Sequence, residues 1–231
     1  MKTRSKRCRG LFVTGTGTGV GKTYVTGLIA RELAAAGRRV GVYKPVASGC
    51  RGDDGRLVCD DAASLWRAAG RPGELERVCP QCFAEPIAPH LAARAEQKSV
   101  DADLLREGLN FWTEKSDIVL IEGAGGLMSP VTDDEYVADL AFDFGFPLVV
   151  VTPNVLGTIH QTLTTLIAAA TFREGLAVAG VVLNHPTPDC DASRDTNHDE
   201  LVRRCVPPVL GTVAWQAGRI EPAVDWWELA L

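Results

Sequence analysis

The stretch Gly10-Leu-Phe-Val-Thr-Gly15-Thr-Gly-Thr-Gly-Val20-Gly-Lys-Thr23 decides how this chain is read. Its opening residues are apolar and β-prone, which predicts a short buried strand. A glycine-rich turn follows, and Lys22-Thr23 opens a stretch with helical spacing of apolar residues. Strand, small-residue turn and helix start together make a phosphate cradle. Residues without bulk let backbone N–H groups point inward, and the helix N-terminus adds positive potential. Gly17, Thr18, Gly19, Val20 and Gly21 are expected to wrap phosphates, Lys22 to reach the terminal ones, and Thr23 to offer its hydroxyl to magnesium. The spacing departs from the usual loop. Counting back from Gly21, Thr16 stands where the first glycine is expected, and Gly15 lies one residue further out.

Outward from that loop, short apolar β-rich runs recur at residues 10–14, 39–45, 117–122, 147–152, 178–184 and 209–214. Between them, residues 22–36, 62–69, 102–115, 136–144, 158–173 and 196–204 carry helical spacing. Gly37, Gly145 and Gly175 sit where helix C-caps are expected. A continuous apolar run such as Leu148-Val-Val-Val151 reads as a strand buried on both faces, the mark of a parallel sheet. The alternation predicts an α/β fold: a single-domain, doubly wound, mostly parallel sheet like that of phosphate-loop nucleotide hydrolases. Residues 1–9 read as a basic tail and residues 10–231 as one domain. Ligands of such sheets gather beyond the carboxyl ends of the strands. The chemistry is therefore expected near residues 14–23, 44–48, 122–126, 152–157 and 184–186.

Bulk properties narrow the class. The 231 residues are 46% hydrophobic and 23% charged, with a formal charge of -5. That balance gives no reason to expect nucleic acid, and no apolar run is long and unbroken enough to span a bilayer. Seven cysteines are an odd count in a chain able to build a core without staples, which favours reduced thiols in the cytosol. Cys79-Pro-Gln-Cys82 has a suggestive spacing. A zinc site wants a second pair or nearby histidines, and a redox motif wants a thioredoxin-like setting; neither is evident, so these read as incidental loop cysteines.

Other candidates stand at strand ends. Glu122, closing Asp117-Ile-Val-Leu-Ile-Glu122, sits where phosphate-loop enzymes place a magnesium-holding carboxylate. Lys44, after an apolar strand and before Pro45, suits stabilisation of charge on a transferring phosphoryl group. Asp60 and Asp61 open a helix as caps or as magnesium ligands, and spacing does not choose between them. His90 reads as part of a proline-rich loop without an assigned role, and His160 falls in the first turn of a helix whose free N–H groups suit an anion.

Several segments together resemble the dethiobiotin synthetases: the phosphate loop to Thr23, Tyr43-Lys-Pro-Val-Ala-Ser-Gly49, Phe83-Ala-Glu-Pro-Ile-Ala-Pro-His90, Val119-Leu-Ile-Glu-Gly-Ala-Gly-Gly126, Leu156-Gly157 and Gly180-Val-Val-Leu-Asn184. They follow the family's order over nearly the whole chain. The resemblance implies a cytoplasmic, homodimeric ligase that uses ATP and Mg²⁺ to close a cyclic urea on diaminopelargonate with CO2. It implies that Lys22 and Lys44 clamp carbamate and phosphate charge, and that Thr23, Asp61 and Glu122 hold magnesium. It further implies that Thr18 and Ser48 contact the diamine, that Asn184 reads adenine, and that Leu156, Gly157 and Thr158 receive the substrate carboxylate across a dimer. Some members carry acids where this chain has Gly17 and Gly19, and a proline is common at the place of Ala214. A partitioning-type ATPase switch on the same fold is the alternative. Those proteins carry an additional lysine early in the loop, and Gly15-Thr16-Gly17 has none.

Overall fold

Leu11, Phe12 and Val13 are fully buried at the heart of the first strand, β1 (Arg9–Gly15). The computed structural model describes residues 8–53, 56–188 and 191–230. Residues 1–7 of the expected basic tail lie outside them, while Arg9 already belongs to β1. Helix α1 (Lys22–Ala35) leaves the loop, and β2 (Val40–Tyr43) returns to the sheet. A peripheral lobe follows: β3 (Val46–Ala47), β4 (Arg51–Asp53), β5 (Arg56–Val58), α2 (Asp60–Ala68), β6 (Gln81–Cys82) and α3 (Pro89–Ala95). Alternation then resumes through α4 (Ala102–Lys115), β7 (Ile118–Glu122), α5 (Val137–Phe144), β8 (Leu148–Pro153) and α6 (Thr158–Thr171). It closes with β9 (Val178–Asn184), α7 (Arg194–Arg204), β10 (Val209–Val213) and α8 (Trp226–Leu229).

The main sheet runs β10-β9-β8-β1-β7-β2, and every pairing in it is parallel. Because β1 is flanked by β8 on one side and β7 on the other, the chain switches direction there, and the crevice beyond its carboxyl end opens onto the phosphate loop. Residues 148–151 are fully buried, as the uninterrupted apolar run requires of a sheet covered on both faces. Each such Val or Leu contributes about 1.5–3 kcal/mol of burial.

Local chemistry sets the helix ends. The Cys59 sulfur accepts from Ala62 N at 3.4 Å, so α2 starts at Asp60, two residues before the apolar periodicity begins. Asp139 accepts from Tyr136 N at 2.8 Å and fixes the entry to α5. Gly145 ends that helix in the left-handed region at φ 68°. Gly175 caps nothing: α6 stops at Thr171, and Gly175 shapes the loop beyond it. His90 is the second residue of α3 and not part of a loop. Pro89 at the first helical position lacks only an N–H the helix does not use.

Candidate active site

The loop is built around Gly21, which precedes α1 with φ 93°. A Cβ there would collide with the side-chain amide of Asn184, and only glycine adopts this conformation freely. Asn184, at the end of β9 and 3% exposed, donates from Nδ2 to the Val20 carbonyl at 2.9 Å. The end of one strand thus clips the phosphate loop to the sheet. Gly17 and Gly19 have room instead: a Cβ at Gly17 meets only Val20 at 4.0 Å, and one at Gly19 meets nothing within 4 Å.

Lys22 reaches back to the Gly17 carbonyl at 2.9 Å. Burial lowers its pKa to about 8, with Glu122 opposing and Lys44 reinforcing the shift. Thr23 donates from Oγ1 to Glu122 Oε1 at 2.8 Å. Lys44 donates to the same oxygen at 2.5 Å and to Asp61 Oδ2 at 2.8 Å. Burial alone would depress the Lys44 pKa, but Glu122 and then Asp61 outweigh it and raise it. A carboxylate that is 0% exposed, as Glu122 is, needs such a partner, since an unpaired buried charge costs several kcal/mol. Its other oxygen, Oε2, is buried with no hydrogen-bond partner.

These groups line a cavity of about 610 Å³ together with Thr18, Ser48, Ser129 and the wall 86–89. Ser48 is presented by a short arch: β3 pairs with β6, Gly49 N donates to Glu85 O at 3.1 Å, and Cys50 N donates to Phe83 O at 2.9 Å. Asp61 faces the cavity and Asp60 does not; Asp60 is paired with Arg51 instead. Ser129 joins the site without standing among the sequence candidates. Its Oγ accepts from Gly126 N at 2.8 Å, and the only sequence signal is a serine three residues after a glycine turn.

A second cavity of about 530 Å³ is lined by Thr212, Ala214, Ala217, Gly218, Arg219 and Glu221. Tyr24, which lines the first, donates to the Ala217 carbonyl at 2.7 Å. Leu156, Gly157 and Thr158 line neither cavity. Leu156 is 81% exposed, and its N–H donates to Asp191 Oδ2 at 3.1 Å. Thr158 is buried against Thr152, hydroxyl to hydroxyl, at 2.7 Å. His160 is exposed on α6, and His90 lies off the cavity with its Nδ1 buried and unpartnered.

A hydroxyl and two carboxylates, with one carboxylate oxygen orphaned, suit a hard cation. Among the described residues no three His, Cys, Asp or Glu side chains already stand at ligating geometry. Magnesium does not require that, since waters and substrate phosphates complete its shell. Cys50 and Cys59, next along the ladder of the β4–β5 hairpin, lie in the same lobe as Cys79 and Cys82, with Cys50 N donating to Phe83 O.

A family profile described as an AAA domain matches residues 9–223. The chain is 43% identical over 218 residues to the ATP-dependent dethiobiotin synthetase of Rhodopirellula baltica, covering 90% of this chain and 84% of that one. It is 40% identical over 208 residues to the protein of the same name from Anaeromyxobacter dehalogenans, with 90% and 91% covered. Among solved structures, a ParA family ATPase from Chlorobium tepidum superposes with a TM-score of 0.56 at 14% identity, covering 92% of this chain and 86% of that one. At that identity the likeness speaks of fold alone.

Proposed function

The chain belongs to the dethiobiotin synthetase family, and from that premise we propose that it is an ATP-dependent ligase closing the ureido ring of dethiobiotin. One amine of 7,8-diaminopelargonate takes up CO2 as a carbamate, and a carbamate oxygen attacks the γ-phosphorus of ATP, releasing ADP. The second amine then attacks the carbonyl carbon of the mixed anhydride, the C–O bond breaks, and phosphate leaves.

The observation that carries this reading is Lys44, buried between Glu122 and Asp61 at the floor of a cavity shared with Lys22, Thr18 and Ser48. No protein nucleophile is required. Phosphoryl transfer to a carbamate needs positioning and neutralisation of charge, and two lysines at fixed places supply both. Lys22 binds the terminal phosphates, replacing its contact to Gly17 O, and Lys44 meets the carbamate and the phosphoryl group. Thr18 and Ser48 orient the diamine by their hydroxyls. Thr23, Asp61 and Glu122 are the residues to hold Mg²⁺, whose chemistry is to screen charge on the β- and γ-phosphates. Asn184, which lines neither cavity, is assigned to adenine through the amide oxygen that Val20 does not use.

The single domain works as a homodimer in this reading. The start of α6 from a second copy takes the substrate carboxylate, and the exposed apolar residues Leu156, just before the helix, and Ile167, further along it, support such a contact. As a biosynthetic ligase it is assigned to the cytoplasm; separately, no helix among the described residues is long and apolar enough to cross a membrane. Incubation with diaminopelargonate, bicarbonate and Mg-ATP yields dethiobiotin, identified by mass, with one ADP formed per ring closed. ATP binding without that product overturns the proposal.

A further inference from the structure

We propose that Cys50, Cys59, Cys79 and Cys82 form a structural zinc site that fixes the lobe carrying Ser48 and Asp61. The pairing of Arg51 with Val58 in the β4–β5 hairpin makes Cys50 and Cys59 the next opposed residues down the ladder. Cys79 and Cys82 flank the two-residue turn Pro80-Gln81, and their sulfurs lie 3.6 Å apart. The two pairs meet because Cys50 N donates to Phe83 O, next to Cys82. Cys59, Cys79 and Cys82 line one cavity, and Cys50 interacts electrostatically with Cys59 and Cys82. Four of the six free cysteines among the described residues are gathered here, and Cys50, Cys59 and Cys79 are buried.

The Cys79–Cys82 distance separates a disulfide from a pair of thiols open to a metal. A tetrahedral ZnS4 centre with bonds of about 2.3 Å has sulfur–sulfur edges of about 3.8 Å. A disulfide needs about 2.05 Å. The observed 3.6 Å, a thiol–thiol hydrogen bond as it stands, excludes the disulfide and lies close to the edge of the metal centre. Four sulfur donors select a soft or borderline cation and reject Mg²⁺, which separates this centre from the oxygen ligands 61 and 122. The Ala62 N–H directed at Cys59 is the kind of outer hydrogen bond that steadies a bound thiolate. A surface cavity of about 440 Å³ lined by Cys59, Cys79 and Cys82 gives an entry path. Among the described residues the four sulfurs do not already stand at ligating geometry, so metal binding in this proposal requires them to draw together. Ser48 lies two residues before Cys50, and Asp61 two after Cys59, so drawing the sulfurs together sets both cavity groups.

Metal analysis of the chain, purified with reductant and zinc and then dialysed, is expected to give about one Zn²⁺ per molecule. Replacement by Co²⁺ is expected to give thiolate-to-cobalt charge-transfer bands and the visible spectrum of a tetrahedral CoS4 centre. Cys79→Ser with Cys82→Ser removes the zinc, whereas Cys8→Ser with Cys205→Ser retains it. A reduced wild-type chain that takes up no zinc overturns the site, and so does zinc retention by the Cys79/Cys82 variant or a zinc-free chain with a Cys79–Cys82 disulfide. Wild-type stoichiometry and the cobalt spectrum hold even where the double variant unfolds. Neither depends on the ligase reading: zinc without ring closure would sink that reading and leave the site standing.

Discussion

Lys44→Ala tests the centre most directly, because it removes a cation without touching the phosphate loop. The Glu122 side chain is 0% exposed and that of Lys44 is 5%, so the variant leaves a buried carboxylate with only Thr23 as donor. Removing one partner of a buried pair costs about 3–5 kcal/mol. The Asp61 arm adds little, since its side chain is 50% exposed and such pairs are worth at most about 1 kcal/mol. Taking about 3 kcal/mol as the loss, and about 2–4 °C per kcal/mol for a chain of this size, the melting temperature falls by about 6–12 °C. Magnesium should restore part of it, because a divalent cation compensates Glu122 and Asp61 as Lys44 did. In the wild type, where Lys44 already neutralises them, magnesium alone should change little. Thermal denaturation of both proteins, with and without Mg²⁺, reads this difference, and Lys44→Met combined with Glu122→Gln should regain most of the lost stability. Ring closure should vanish while ATP affinity stays nearly intact. A fall below about 2 °C, or an identical magnesium response in both proteins, refutes the assigned pairing.

Raising the pH through about 8 should deprotonate Lys22 in the free enzyme, so kcat/KM for ATP falls with that apparent pKa while kcat moves less; a flat profile to pH 9 contradicts it. The stability sign is opposite. A lysine lowered from about 10.4 makes the folded chain bind fewer protons than the unfolded one between those values, so Lys22 contributes a gain as pH rises from about 8 to about 10. Gly21→Ala should abolish ATP binding through its positive φ and collision with Asn184, whereas Gly17→Glu should bind ATP normally because the space is open; equal losses in an ATP titration would refute the distinction. Asp191→Ala frees the Leu156 N–H and should lower KM for the diamine without altering KM for ATP. An unchanged diamine KM would remove the start of α6 as the carboxylate site.

The main sheet is legible in the sequence because its signals are long: buried strands carry unbroken apolar runs, and helices such as α1 and α4 repeat their apolar spacing over several turns. The peripheral lobe is not. Strands of two and three residues such as β3, β4, β5 and β6 are shorter than the period that would reveal them, and α3 hides behind prolines that also mark loops. Glu122 and Lys44 stand out as strand-end residues, but their bond does not, since side-chain direction across two strands is a property of register. The choice between Asp60 and Asp61 likewise turns on a contact, the Arg51 pair, that spacing along the helix does not contain. Cys50 and Cys59 are separated by a hairpin, and only its pairing makes them neighbours of each other.

The Lys44 pairing also governs how ions enter. Two acids and two lysines leave the four-side-chain centre formally neutral at rest, with Lys22 still protonated near pH 7. A centre of that kind presents no monopole to attract either a bare divalent cation or a bare polyanion. What it offers is a fixed pattern of opposite signs, matched by a metal and its triphosphate arriving as one unit. Capture of the metal–nucleotide pair should therefore respond weakly to ionic strength, and selectivity for the pair over its separated ions is a property of the empty scaffold.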